Sequence, residues 1–194
     1  LADPTEVDGP TDPTVADTDG DGLNDGREFD LGTDPTVADT DGDGFDDGAE
    51  VDGETAGGVA LPGSDPLSMD LYVQISYAAS ATRKPTSFLS DLRSQWSTMP
   101  IENPDGTTGI DLHVEAARPR SETVTFTGSG GSFGRIKSEH YADNVGDRAG
   151  VYHNVMFVEF DDGGQYDGYG EVPGKFAIVE ANADSRVQRN MVIH

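Results

Sequence analysis

An acidic segment of 22 residues occurs twice in succession, and it constrains the fold of this chain more than any other feature. DPTVADTDGDGLNDGREFDLGT at 12–33 is followed without a gap by DPTVADTDGDGFDDGAEVDGET at 34–55. Both copies contain the pattern D-x-D-x-D-G-x-x-D-x-x-E, and large apolar side chains are few in both. A segment of this composition cannot become ordered by burying apolar surface. The repeat therefore needs another source of stability.

The acidic residues of each copy have the spacing of a twelve-residue calcium loop. Such a loop wraps Ca²⁺ with carboxylates at positions 1, 3, 5 and 9, a backbone carbonyl at position 7 and a glutamate at position 12. An acidic, solvated linker is the alternative, but two copies with identical ligand positions argue against it. We expect two or more bound Ca²⁺ ions. The predicted ligands are Asp17, Asp19, Asp21, Leu23, Asp25 and Glu28 in the first loop and Asp39, Asp41, Asp43, Phe45, Asp47 and Glu50 in the second.

Charge is distributed unevenly along the chain. Residues 1–70 contain 21 Asp and Glu against the single Arg27, whereas all 194 residues contain 37 acidic and 12 basic side chains. This charge would repel a phosphate backbone, which excludes a nucleic-acid partner. No apolar run is long enough to span a bilayer, and the absence of cysteine excludes disulfides and thiolate metal ligands.

The repeats resemble thrombospondin type-3 repeats over about residues 1–70. They differ from EF-hands because the glycines and prolines after each loop end a helix within a turn. The resemblance implies a secreted or cell-surface protein in which the chain winds around calcium ions that take the place of a core. We therefore predict an irregular, calcium-bound repeat domain over 1–69.

Residues 70–194 have the pattern of a globular α/β domain, in the sense of α+β. Alternating or continuous apolar residues predict strands in DLYVQISYA, GIDLHVEA, ETVTFTG, VYHNVMFVEF and KFAIVEA. Apolar residues three and four apart predict a helix over 86–98 with Phe88 and Trp96 buried, and shorter helical stretches lie around RIKSEHYA and at the end of the chain. We expect GIDLHVEA inside a twisted mixed sheet. VYHNVMFVEF is predicted at its edge, because Asn154, Asp161 and Asp162 would oppose further pairing.

Several separated blocks of this domain resemble a family of secreted, metzincin-like zinc metallopeptidases over about residues 69–194. The blocks are MDLYVQISY, NPDGTTGIDLHVEA, RAGVYHNVMFVEF, GYGEVPGKFAIVE and RNMVIH. In that family the last block continues as the zinc helix HExxH, so the resemblance implies that His194 is the first zinc ligand. The general base and the remaining ligands are then expected beyond residue 194. The chain would be the N-terminal part of the peptidase domain and inactive by itself.

The histidines carry no metal site without that resemblance. His113, His140 and His153 share no ligand spacing, and each is more simply a structural or exposed side chain. Taken alone, His194 is an ordinary terminal histidine. The zinc hypothesis therefore depends on the blocks that precede it.

Two functions fit the sequence. One is a calcium-stabilised secreted or cell-surface zinc metallopeptidase whose full-length parent hydrolyses peptide bonds with zinc-activated water. The alternative is a non-catalytic extracellular calcium-binding protein of a surface, adhesion or filament type. The expected partners are calcium ions and a protein or peptide substrate, and Zn²⁺ is expected in the full-length parent only. The residues ExxH after His194 would distinguish the two functions.

Overall fold

A computed structural model describes residues 11, 14–79, 81, 86–119, 121–162, 168–171 and 175–181. The chain divides into two compact units. Unit 1 contains the described residues up to Leu71 together with Ser97–Asp111, and unit 2 contains Tyr72–Trp96 and the described residues from Leu112 onward.

Unit 1 consists mainly of turns, with two short helices, α1 (Asp25–Leu31) and α2 (Asp47–Asp52). The Asn24 side chain caps α1 by accepting from the Arg27 N–H, and Gly32 ends it in a left-handed conformation with φ 92°. Gly53 ends α2 in the same way with φ 71°. The left-handed conformation is unfavourable for residues that have a Cβ but not for glycine. Each glycine can therefore adopt it and end its helix. The prediction that no long helix follows the loops is confirmed.

Little apolar surface is buried in unit 1. Its buried hydrophobic side chains among the described residues are Leu23, Val59 and Leu61. Polar contacts hold the segment 97–111 to the residues before the first strand. The buried Asn103 side chain accepts from the Met69 N–H at 3.4 Å and donates to Ser68 Oγ at 3.3 Å, and the Asp111 N–H donates to the Met69 carbonyl at 2.8 Å.

Most described elements of unit 2 belong to a mixed sheet. The strands are β1 (Asp70–Tyr77), β2 (Asp111–Pro119), β3 (Thr125–Phe126), β4 (His153–Phe160), β5 (Gly168–Gly170) and β6 (Phe176–Glu180). Their order is β2-β1-β4-β6-β5, and β3 also pairs with β4. β4 runs parallel to β1, β3 and β6, whereas β5 is antiparallel to β6. The predicted mixed α/β architecture is confirmed.

The prediction that VYHNVMFVEF lies at a sheet edge is wrong. β4 pairs with β1 on one side and with β6 on the other, and its residues from Asn154 to Val158 are all buried. A continuous apolar run is typical of a parallel strand covered on both faces. Asn154 does not blunt an edge, because its amide donates to the Gln74 carbonyl at 2.7 Å and to Ser76 Oγ at 3.1 Å.

β2, predicted inside the sheet, stands at the end of the described strand order. Two of its backbone carbonyls accept hydrogen bonds from helix α3 (Thr86–Trp96). The Arg93 guanidinium donates to the carbonyls of Leu112 and Val114, at 3.2 Å in both cases. An edge carbonyl that is already bonded is less available for pairing with another chain.

The two longer helices pack on opposite faces of the sheet. Phe88 of α3 is buried, as predicted, and its ring meets that of Phe157 edge-on with 6.1 Å between the centroids. Trp96, also predicted to be buried, is only partly buried. Helix α4 (Gly130–Val145) covers the other face, where its Phe133 and Ile136 share a buried apolar cluster with Met156. α4 begins inside GSGGSFG because Ser129 caps it, earlier than the predicted stretch around RIKSEHYA. β5 was not predicted, and the helix predicted at the end of the chain lies outside the described residues.

None of the described helices combines the length and apolar composition that a membrane crossing requires.

We predict that Gly109 is the most sensitive glycine of the 97–111 segment. A Cβ at this position would lie 2.4 Å from the Ser97 carbonyl oxygen, at φ 100°. Gly106 is the matched control, since it has φ 83° but open space around it. Gly106→Ala should lower the free energy of unfolding by about 1–2 kcal/mol from backbone strain. Gly109→Ala should lower it by about 1–3 kcal/mol more from overlap. Urea unfolding in calcium measures both losses, and equal losses would contradict the prediction.

Candidate calcium sites

The first three aspartates of each loop converge on one point. Carboxylate oxygens of Asp17, Asp19 and Asp21 lie within 4.8 Å of one another, and those of Asp39, Asp41 and Asp43 form the same group in the second loop. The alternating sequence Asp-x-Asp-x-Asp brings them together because one glycine between them and one directly after them turn the chain. In the first loop, Gly20 and Gly22 adopt positive φ angles, and their N–H groups donate to Asp17 at 2.7 and 3.2 Å.

The aspartate at position 9 is held by the threonine at position 2 of the same loop. Asp25 accepts from the Thr18 N–H and hydroxyl at 2.8 and 2.7 Å. Asp47 accepts from the Thr40 N–H and hydroxyl at 2.8 and 2.6 Å. Asp25 is not among the described acidic groups that converge with its own loop. Its observed contacts are those of a residue that fixes the loop conformation.

A second group of carboxylates joins the two repeats. Asp21 and Glu28 of the first loop lie within 4.8 Å of Asp47 of the second. The Gly48 N–H donates to the second carboxylate oxygen of Asp21 at 2.7 Å, while the first accepts from the Leu23 N–H at 2.7 Å. Asp21 therefore belongs to both groups, and the ligands do not form one closed ring per loop.

The second loop repeats this arrangement with a residue that the loop pattern does not contain. Asp43 and Glu50 converge with Asp70, which is 5% exposed. The Phe45 N–H donates to one oxygen of Asp43 at 2.9 Å, and the Asp70 N–H donates to the other at 2.7 Å. Sequence reasoning missed Asp70 as a ligand candidate. The similarity of GSDPLSMD to GTDPTVAD was the one signal in its favour.

The glutamates at position 12 are buried without hydrogen bonds. Glu28 is 0% and Glu50 3% exposed, and neither carboxylate accepts a bond at either oxygen. One oxygen of Asp19 and one of Asp41 are buried in the same way. An ionised carboxylate in such a place is strongly unfavourable unless a cation compensates it. These unpaired oxygens, aimed at other carboxylates, fit a bound cation.

Burial and mutual repulsion raise the pKa values of these carboxyl groups. Burial, followed by the charges of Asp43, Asp41 and Asp70, raises the pKa of Glu50 to about 10. Burial and then the charges of Asp19 and Asp21 raise the pKa of Glu28 to about 7. Asp41 reaches a pKa of about 7 and Asp43 about 6, in both cases mainly through burial. The cation-free site thus favours protons over several negative charges in a small volume.

The donor set indicates which cation fits. In the four groups that the two loops and Asp70 form, every converging side-chain atom is a carboxylate oxygen, the hard ligand that Ca²⁺ prefers. The flexible coordination of Ca²⁺ also suits irregular loops better than the strict octahedron of Mg²⁺. The residues present therefore fit calcium.

The predicted zinc ligand His194 lies outside the described residues. Two of the other histidines lie beside side chains that the structure describes. His113 stacks on Tyr72 with 4.5 Å between ring centroids, and buried His140 lies 3.6 Å from a Glu122 carboxylate oxygen. Burial and then the charge of Lys175 lower the pKa of His153.

Comparisons with known proteins agree with the geometry of the repeats. No curated protein matches the chain significantly. A family model described as bacterial TSP3 repeat matches residues 17–38 and 39–55. The matches do not extend to residues 69–194, where the metzincin-like resemblance stays a prediction. Residues 17–55 are therefore repeats of the bacterial TSP3 type, and this type implies extracellular calcium binding.

Proposed function

We propose that this chain is part of a secreted or cell-surface protein whose unit 1 is held together by calcium. The observation that carries this proposal is the pair of buried glutamates, Glu28 and Glu50, whose oxygens accept no hydrogen bond and face two further carboxylates each. Calcium supplies the positive charge that these groups lack. The protein contributes preformed loops, since backbone N–H groups already orient the oxygens of Asp17, Asp21 and Asp43.

For unit 2, we propose the N-terminal part of a zinc metallopeptidase domain. The support is the resemblance of five sequence blocks in the expected order, together with a mixed sheet that has helices on both faces. β6 is a mostly buried parallel strand, and the residues after a parallel strand stand at the carboxyl edge of a sheet, where α/β proteins place their sites. His194 would hold Zn²⁺ with ligands from beyond this chain, and the metal would activate the attacking water.

The competing function is a non-catalytic surface, adhesive or filament protein. The calcium repeats suit it equally well, because a calcium-ordered segment also works as a spacer. Zinc content separates the two functions, since the spacer has no need of a second metal.

Replacing either buried glutamate should have opposite effects with and without calcium. Glu28→Gln and Glu50→Gln each remove a ligand charge, so calcium affinity should fall about tenfold or more at the affected site. Without calcium, the same variants should unfold at a higher temperature than the original chain, because Gln avoids the free-energy cost of either protonating the buried carboxyl or burying its charge. Exposed Glu54→Gln is the control and should change neither quantity. Calorimetric titration and thermal unfolding measure both effects, and a destabilised cation-free variant would argue against the site.

The stability of unit 1 should depend on pH in opposite directions with and without calcium. The raised pKa values mean that the cation-free folded form binds more protons than the unfolded chain, whose carboxyls titrate near pH 4. Without calcium, stability should therefore fall as pH rises from about 4 through about 7 and beyond. With saturating calcium it should rise over the same range, because deprotonated carboxylates bind the ion. Thermal unfolding across this range measures both trends, and parallel trends would contradict calcium ligation.

The peptidase proposal is tested in a chain that extends past His194 through the residues that follow it in its parent. This longer protein should bind one Zn²⁺ and hydrolyse casein, and His194→Ala should abolish both because a three-ligand site does not retain zinc with one imidazole missing. His153→Ala is the control and should leave zinc content unchanged. A longer protein free of zinc, or full hydrolysis after His194→Ala, would favour the surface-spacer function.

A further inference from the structure

Asp70 lies 15 residues beyond the segment that matches the TSP3 repeat, yet it occupies a position that the repeat itself defines. The Gly48 N–H donates to Asp21 across 27 residues, at 2.7 Å, and the Asp70 N–H donates to Asp43 across 27 residues at the same distance. Asp70 therefore makes, at the end of the array, the backbone contact that Gly48 makes between the repeats.

The side chain of Asp70 takes a different place, that of Asp47. In the first group the carboxylate that joins Asp21 and Glu28 comes from Asp47, the residue before Gly48. In the second group the residue before Asp70 is Met69, whose side chain has no oxygen, and Asp70 itself converges with Asp43 and Glu50. One residue thus supplies both the backbone donor and the carboxylate that two residues supply between the repeats.

The surroundings of Asp70 are those of an ordered ligand. Its carboxylate accepts from the Asp65 N–H at 2.9 Å, which fixes the orientation of the group. Beside it, Glu50 is 3% exposed and accepts no hydrogen bond at either oxygen. Glu50 and Asp70 are buried and Asp43 is partly buried, and carboxylates brought this close together away from water fit a metal ion of hard character.

We propose that Asp70 is the closing ligand of the last calcium site, and that the ion bound there stabilises the segment 97–111. The inference rests on the proposed calcium binding of unit 1. The link runs through the two residues before Asp70. Asn103 bonds to Ser68 and Met69, and the Asp111 N–H donates to the Met69 carbonyl, so fixing Asp70 fixes the partners of the segment. Calcium then orders residues that contain no repeat motif.

The test combines calcium titration with hydrogen exchange on the whole chain. Asp70→Asn removes the charge but keeps the backbone N–H, and it should bind one Ca²⁺ ion fewer, or bind that ion at least about tenfold more weakly. Amides of residues 97–111 should exchange faster in this variant, with calcium present. Asp52→Asn has the same charge change at an exposed position and should preserve both the ion count and the protection. Asp17→Asn should weaken the first loop while leaving 97–111 protected.

The outcomes separate the inference from the function on which it rests. An original chain that binds no calcium overturns the proposed function. If the original chain binds calcium and Asp70→Asn binds it equally well, the ligand role of Asp70 is overturned. If Asp70→Asn loses an ion but residues 97–111 stay protected, the coupling is overturned. Protection of β4 and α4 reports that the variant is folded. If it is not, Asp70→Glu keeps the charge but moves the oxygens, and an unaltered ion count and affinity in that variant overturn the inference.

Discussion

Repulsion between carboxylates is the constraint on which the order of unit 1 depends. Residues 1–70 carry 21 acidic side chains and one arginine, and the structure places Glu28 and Glu50 out of contact with water. The buried apolar side chains of the described part of this unit, Leu23, Val59 and Leu61, are too few to compensate such a cost. A bound divalent cation reverses the sign of the interaction, since each carboxylate then attracts the common ion. The same carboxylate charges therefore destabilise unit 1 without a cation and stabilise it when a cation is bound.

The aspartate at position 5 explains why the sites are connected along the chain. Each of Asp21 and Asp43 accepts from a donor in its own loop with one oxygen, and from a donor in the following segment with the other. An ion that fixes one of these side chains therefore also fixes the next segment. Loops linked in this way couple each ion to the segment that follows it, a nearest-neighbour coupling like that of other repeat proteins.

The sequence was sufficient to predict which carboxylates are candidate ligands, but not which of them lie together in space. A twelve-residue pattern counts positions inside one loop, whereas Asp21 meets Asp47 and Asp43 meets Asp70 across the following segment. In unit 2, alternation and the apolar run of VMFV were enough to locate the main strands. The polar residues around that run suggested an edge, but Asn154 satisfies its amide inside the sheet, so the run itself was the better signal. Segment 97–111 has no periodic pattern, and its place in unit 1 comes from Asn103, whose contacts no sequence pattern encodes.

The two units are stable for different physical reasons, and this difference limits what either can contribute to function. Unit 2 has a close-packed core between β4, β6 and α4, with aromatic contacts such as Phe133 on Phe176 at 5.6 Å. Such a core does not require a metal, so a zinc ion in this unit would serve chemistry and not folding. Unit 1 has the opposite character, because its carboxylates suit a hard, redox-inert ion whose coordination geometry is flexible. The calcium proposed for unit 1 would therefore serve order, whereas the zinc proposed for the parent protein would serve chemistry.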